Sequence, residues 1–160
     1  MRFKTLISAA VAAVCPVASY GQSSDDFPDM LGTYECNIEY GAMFFGLLQG
    51  PYAYELGITS QLGAAFEGYF IWVGDRKTLP DEQIDRPGQT IVSEEGSKVT
   101  IREELLGMIG WGEYNLHMVD AADEARKTGR LIKPGEFEFI DARPGERATL
   151  TRTRCIRQQQ

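Results

Sequence analysis

Carboxylates are the most plentiful groups in this chain that could do chemistry. They stand as Asp25-Asp26, Glu94-Glu95, Glu103-Glu104, and Asp120 followed by Asp123-Glu124. Two that meet in a cleft divide the work of general acid and general base, which is how a hydrolase or isomerase without a cofactor operates. Their spacing selects no pair, so the catalytic residues stay unknown at this stage. His117 is the single histidine. A zinc site or a histidine-based triad needs further ligands or a nucleophile at defined spacing, and neither a second histidine nor a Gly-x-Ser-x-Gly elbow is present. The Asp120-x-x-Asp123-Glu124 run lacks the alternating oxygen ligands of a calcium loop. No glycine-rich phosphate loop or haem attachment pair occurs either, so the sequence calls for no metal and no cofactor.

Binding is the better expectation than catalysis. From Tyr40 to Phe66 the only charge is Glu55, while five glycines and six aromatics fall in the same stretch. Glycine lets a ligand or another backbone come close, and aromatic side chains supply the contact. A second uncharged run, Leu105-Leu106-Gly107-Met108-Ile109-Gly110-Trp111-Gly112, has the same character. The candidate contacts are Phe44, Phe45, Tyr52, Tyr54, Phe66, Met108 and Trp111, for an apolar small molecule or an exported protein partner. The competing reading of both runs is a core hairpin.

The compartment follows from the N-terminus. Arg2 and Lys4 precede an uncharged stretch from Thr5 to Val14, then Pro16 and small residues, which is the layout of a cleaved secretory signal. The expectation is removal of residues 1–21, a polar lead-in over 22–30, one β domain over 31–157 and a Gln-rich tail at 158–160. The apolar run falls short of the ~20 residues a membrane helix needs, so no transmembrane segment is expected after cleavage. The destination is the periplasm or the extracellular medium. With 23 acidic residues against 16 basic ones the chain is acidic, and removing Arg2 and Lys4 makes it more so. That balance argues against neutralising the phosphates of nucleic acid. Cys15 leaves with the signal, and the remaining Cys36 and Cys155 read as one disulfide in an oxidising compartment.

Strands must position all of this. Tyr34, Cys36, Ile38 and Tyr40 alternate with Thr33, Glu35, Asn37 and Glu39. The same period of two marks Val99 and Ile101, then Tyr114, Leu116 and Met118, then Phe137 and Phe139. Residues 66–73 and 147–156 have strand composition. Arg86-Pro87-Gly88, Glu95-Gly96, Lys133-Pro134-Gly135 and Arg143-Pro144-Gly145 mark turns. Six to nine short strands so spaced predict an all-β, or mainly β, antiparallel barrel or sandwich. One short helix is expected over Ala121–Thr128, with Asp120 as its cap and Gly129 as its stop.

Setting Cys36 opposite Cys155 in an antiparallel pair also sets Asn37 opposite Arg154 and Glu39 opposite Arg152, with Thr149, Thr151 and Thr153 on the cysteine's side. First and last strands would then pair and remove the free edges. The five arginines of Arg143–Arg157 would be neutralised within the chain by Glu35 and Glu39. Gly32-Thr33-Tyr34 with Arg152 or Arg154 is similar to the opening glycine and aromatic and the last-strand arginine of lipocalin-like barrels. Tyr34 stands where those folds carry tryptophan and their second motif is not visible, so no family is assigned on it. The functions expected are a non-catalytic barrel-type binding protein, a hydrolase or isomerase using paired carboxylates, or a structural or inhibitory interaction module.

Overall fold

The period-two runs become strands, and the strands close on themselves. The computed structural model describes residues 27–43, 46–48, 52–78, 86–110, 115–121, 125–143 and 149–159. Among the described residues ten strands are formed: β1 (Gly32–Met43), β2 (Gly46–Leu48), β3 (Tyr52–Leu62), β4 (Ala65–Asp75), β5 (Gln89–Glu95), β6 (Lys98–Ile109), β7 (Asn115–Asp120), β8 (Arg126–Lys133), β9 (Glu136–Arg143) and β10 (Thr149–Arg157). All pairings are antiparallel. The order β1-β3-β4-β6-β7-β8-β9-β10 returns to β1, giving a closed eight-stranded barrel. The short β2 continues the β3 edge of β1, and β5 pairs with the first half of β6 on the edge that β7 takes over further along. Among the described residues no helix is long and apolar enough to cross a membrane.

Each strand points one side chain set inward and the other outward. Tyr34, Leu56, Ile58, Phe66, Phe70, Leu105, Ile109, Leu116, Met118, Phe137 and Phe139 fill the interior. Tyr34 meets Phe137 edge-on at 5.0 Å between ring centres, and Phe137 stacks near Phe139 at 6.3 Å. Gly107 and Phe66 face each other across β6 and β4. A Cβ at Gly107 would enter the Phe66 ring, so the glycine makes room for the aromatic.

Cys36 pairs directly with Cys155 and the two form the disulfide, spanning 119 positions. Asn37 lies opposite Arg154 as the sequence suggests. A bulge between Ile38 and Tyr40 then shifts the partner of Arg152 from Glu39 to Tyr40. Glu39 still reaches Arg152 at 3.6 Å. Thr151 and Thr153 are buried on the cysteine's side; the Thr149 side chain lies outside the description.

The expected helix over Ala121–Thr128 is not formed. Ala121 is in a turn, residues 122–124 lie outside the described set, and Arg126–Thr128 open strand β8. An eight-residue helix recovers little of its nucleation cost. The strand alternative buries Lys127 against Asp120 and completes the sheet between β7 and β9.

One end of the barrel is sealed by the lead-in. Met30 is fully buried, and Gln61 fixes the segment by accepting from the Met30 N–H at 2.8 Å and donating to the Pro28 carbonyl at 3.1 Å. The Tyr34 hydroxyl donates to the Met30 carbonyl at 2.8 Å and accepts from Arg157 Nε at 3.1 Å, with the guanidinium 5.5 Å from the Tyr34 ring centre. The arginine over the first-strand aromatic is therefore Arg157, not Arg152 or Arg154. Those two point outward.

Candidate functional site

Two places on this barrel hold side chains that the core does not need. The first is the interior end remote from Met30. Here the inward set of four neighbouring strands finishes in charge: Glu103 on β6, Asp120 on β7, Lys127 on β8 and Asp141 on β9. Glu103, Asp120 and Lys127 are buried at 8%, 3% and 5% exposure. Lys127 Nζ lies 2.6 Å from Asp120 Oδ2 and 3.2 Å from Asp141 Oδ2, and 5.1 Å above the Phe70 ring. The Gln89 amide and the Trp72 indole donate to Glu103. Tyr54 meets Phe70 edge-on at 5.6 Å and hydrogen-bonds Thr153. Gly88, in the left-handed region at φ +84°, brings the chain before β5 against Ala121; a Cβ there would lie 2.8 Å from the Ala121 Cβ.

The electrostatics follow from burial. Loss of solvent raises the Glu103 carboxyl, and the charge on Asp120 raises it further, against the pull of Gln89 and Lys127. Burial also raises Asp141, opposed by Lys127. The Asp141 Oδ1 and Gln89 Oε1 atoms are buried without a partner among the described residues. Burial pushes the Tyr54 phenol far up, so it stays a neutral donor. Glu103 and Asp141 are thereby raised above the ordinary carboxylate range, which is the property a general acid requires. Among the described residues no group of three or more His, Cys, Asp or Glu side chains is arranged to hold a metal ion.

The second place is outside. On the outer face of β3, β4, β6 and β7, a shallow groove of about 530 Å³ is bordered by Leu62, Ala65, Leu106, Met108, His117 and Val119. Leu62 is 87% exposed, Leu106 60%, Met108 52% and Val119 45%. Register aligns them: Ala65, Met108 and His117 form one cross-strand row, and Glu67, Leu106 and Val119 the next. Contiguous exposed apolar side chains of this kind mark interaction surfaces.

The aromatic candidates do not converge. Phe66 is buried inside the barrel, whereas Met108, next to its cross-strand partner Gly107, points out into the groove. Tyr54 lies at the charged end, far along β3 from Leu62. Tyr52 lies in β3 with its side chain outside the description, and Phe44, Phe45 and Trp111 lie outside the described residues. His117 is exposed on the outer face, as its place among polar neighbours indicates.

The groove partners Leu62, Leu106 and Val119 were missed by composition, although Leu105–Ile109 carried the signal. Both alternating sets of that run are apolar, so in a half-solvated strand one of them must face water. The interior charges were equally visible. Leu116-Met118-Asp120 and Phe137-Phe139-Asp141 each end an apolar set with an acid on the same face, and Val99-Ile101-Glu103-Leu105 carries one within it.

The opposite half of the exterior is ionic. Arg154 pairs with Glu136, and Arg152 with Glu138. Lys133 lies 3.0 Å from Glu136 and Arg130 2.8 Å from Glu138. Lys133 foremost, with Arg154, holds the Glu136 carboxyl below its ordinary range, and Arg152 foremost does so for Glu138. The arginines of β10 thus find most of their counter-charge on β9 rather than on Glu35.

These features define a closed antiparallel eight-stranded barrel. Comparison of the chain with protein-family models, curated proteins and solved structures finds no match.

Proposed function

We propose that this protein acts by binding, through the outer apolar face of β3, β4, β6 and β7, and that its partner is an apolar segment of another exported protein. The carrying observation is the exposed row of Leu62, Leu106, Met108 and Val119 on a barrel whose β9 and β10 instead carry paired charges on their outer face. An apolar cluster occupies the interior toward the Met30 end, which supports an outer site over an apolar ligand held there. The signal-like N-terminus and the Cys36–Cys155 disulfide support the assignment to an oxidising, exported compartment. The test is a fluorescence titration with an anilinonaphthalene sulfonate probe. Leu106→Asn with Met108→Gln is expected to weaken probe binding about tenfold while leaving the near-ultraviolet circular dichroism unchanged. Equal binding by both proteins would refute the assignment.

A second reading rests on the Glu103–Asp120–Lys127–Asp141 cluster, where a raised carboxyl beside an ion pair could serve as acid and base in a hydrolysis or isomerisation. A pH–rate profile on an ester and glycoside panel, with limbs removed by Glu103→Gln, is the result that would favour it.

A further inference from the structure

Among the described residues, closure of the barrel removes the free edges of eight strands but leaves one edge of β5 without a paired strand. Among the described residues β5 pairs only with β6. Its interior contribution is slight: from Thr90 to Glu95 every side chain is exposed, including Ile91 at 38% and Val92 at 55%. A strand that buries so little of itself, yet carries the β-branched run Thr90-Ile91-Val92, has the composition of a strand with a partner on both sides. The other strand paired on one edge only, β2, is three residues long.

The direction of the open edge can be read from the backbone. The Gly88 carbonyl accepts from the Glu104 N–H at 2.9 Å, so Gly88 faces β6. By alternation Thr90 faces β6 as well, and the Ile91 N–H and C=O point to the open side. A bulge between Ile91 and Ser93 twists the strand but leaves this pair outward.

We infer that β5 is a self-pairing edge, which joins antiparallel to β5 of a second copy of this chain across a two-fold axis at Ile91 or Val92. The segment Gln89-Thr90-Ile91-Val92-Ser93-Glu94-Glu95 suits that partner. An axis at Ile91 sets Thr90 opposite Val92 and Gln89 opposite Ser93. An axis at Val92 sets Ile91 opposite Ser93, Thr90 opposite Glu94 and Gln89 opposite Glu95, so that hydroxyl and amide donors meet carboxylates. In both registers the apolar pair sits at the centre and no carboxylate faces another, which is the charge pattern antiparallel self-pairing requires. Glu94 is in addition held by Arg76 at 2.5 Å. A foreign strand would need a basic residue near Glu95, whereas the second copy needs none. The short edge makes a small interface, so the dimer is weak and reversible.

Sedimentation equilibrium of the protein from an oxidising compartment, from about ten micromolar to about half a millimolar, reads this out. The expected result is a monomer–dimer equilibrium, with slower exchange of the Ile91 amide at the higher concentration. Val92→Lys, at an exposed position, and Ile91→Pro, which removes the outward donor, should each weaken the dimer at least about tenfold. Met108→Gln should leave it unchanged. A monomer at every concentration overturns the inference. So does a dimer that Met108→Gln weakens and Val92→Lys does not, because the pairing would then run through the apolar groove. Near-ultraviolet circular dichroism confirms the fold of each variant.

Discussion

The two halves of the barrel exterior dispose of their side chains in opposite ways. On β8, β9, β10 and β1, arginine and lysine meet glutamate across the strands, and apart from Leu150 beside Ala142 the exposed apolar residues of β9 and β10 lie between polar partners. Ile156 lies in register between Glu35 and Glu136, and Ile140 between Thr128 and Arg152. On β3, β4, β6 and β7, the apolar residues are contiguous instead, with Leu106 facing Val119 and Met108 next to Ala65. The ionic half is satisfied within the molecule and in water. The apolar half leaves unfavourable hydration in place, which a partner of the proposed kind would relieve. One fold can therefore be ionic on one side and apolar on the other.

That contrast can be broken experimentally, beginning with the seam that holds the ionic half together. Replacing Cys36 and Cys155 by alanine is expected to cost up to about 4–5 kcal/mol of unfolding free energy, since the bond closes most of the chain into one loop. Denaturant unfolding measures the loss. Probe binding per folded molecule should persist, because the groove lies on other strands.

The interior charges come next. Lys127→Met removes the ammonium that Asp120 and Asp141 share, and breaking a buried pair from one side costs about 3–5 kcal/mol near neutral pH. The cost should shrink in acid, where Asp141, raised by burial, takes up a proton. The sign of the wild-type pH dependence follows in the same way. Glu103 and Asp141 are raised in the folded state, so the native protein binds protons that the unfolded chain has released. Stability then falls as pH rises from the ordinary carboxylate range through the raised values. Glu103→Gln and Asp141→Asn should flatten that decline in thermal melts across pH. Glu136 and Glu138 are lowered and act oppositely, their contribution being lost as pH falls through their folded values.

At the groove, the double substitution Leu106→Asn with Met108→Gln should weaken apolar probe binding by about tenfold, or about 1.4 kcal/mol, yet change unfolding by no more than about 0.5 kcal/mol because both positions are exposed. The smallest effect belongs to the ionic half. Arg130→Gln, at a largely exposed arginine paired to Glu138, should alter stability by only a few tenths of a kcal/mol and leave probe binding untouched.

Much of this architecture was written in short-range alternation. Gly32–Tyr40 and Asn115–Asp120 announce strands, and the cysteines Cys36 and Cys155 announce the bond that aligns β1 with β10. What alternation omits is everything set by a distant partner. The bulge at Ile38 depends on how β1 fits β10. Asp120 and Lys127 have the order of a helix cap and a helix end, and only the neighbouring β9, carrying Asp141, makes them an interior cluster. Half of the groove is legible: Met108 stands out for its soft side chain, while Leu62 and Val119 join it only through pairing with β4 and β6. Phe66 has the same local composition but turns inward, since its strand partner Gly107 leaves space for the ring.

Methyl chemical-shift mapping during titration with the anilinonaphthalene sulfonate probe tests the central claim most directly. Binding through the outer face predicts that the methyls of Leu62, Leu106, Met108 and Val119 move together, while Ile140, Leu150 and Ile156 on the ionic half and Leu56 and Leu105 inside stay still. Shifts confined to Leu56 and Leu105 would place the ligand within the barrel, and uniformly silent groove methyls would show that the exposed row binds nothing; either result would contradict the account.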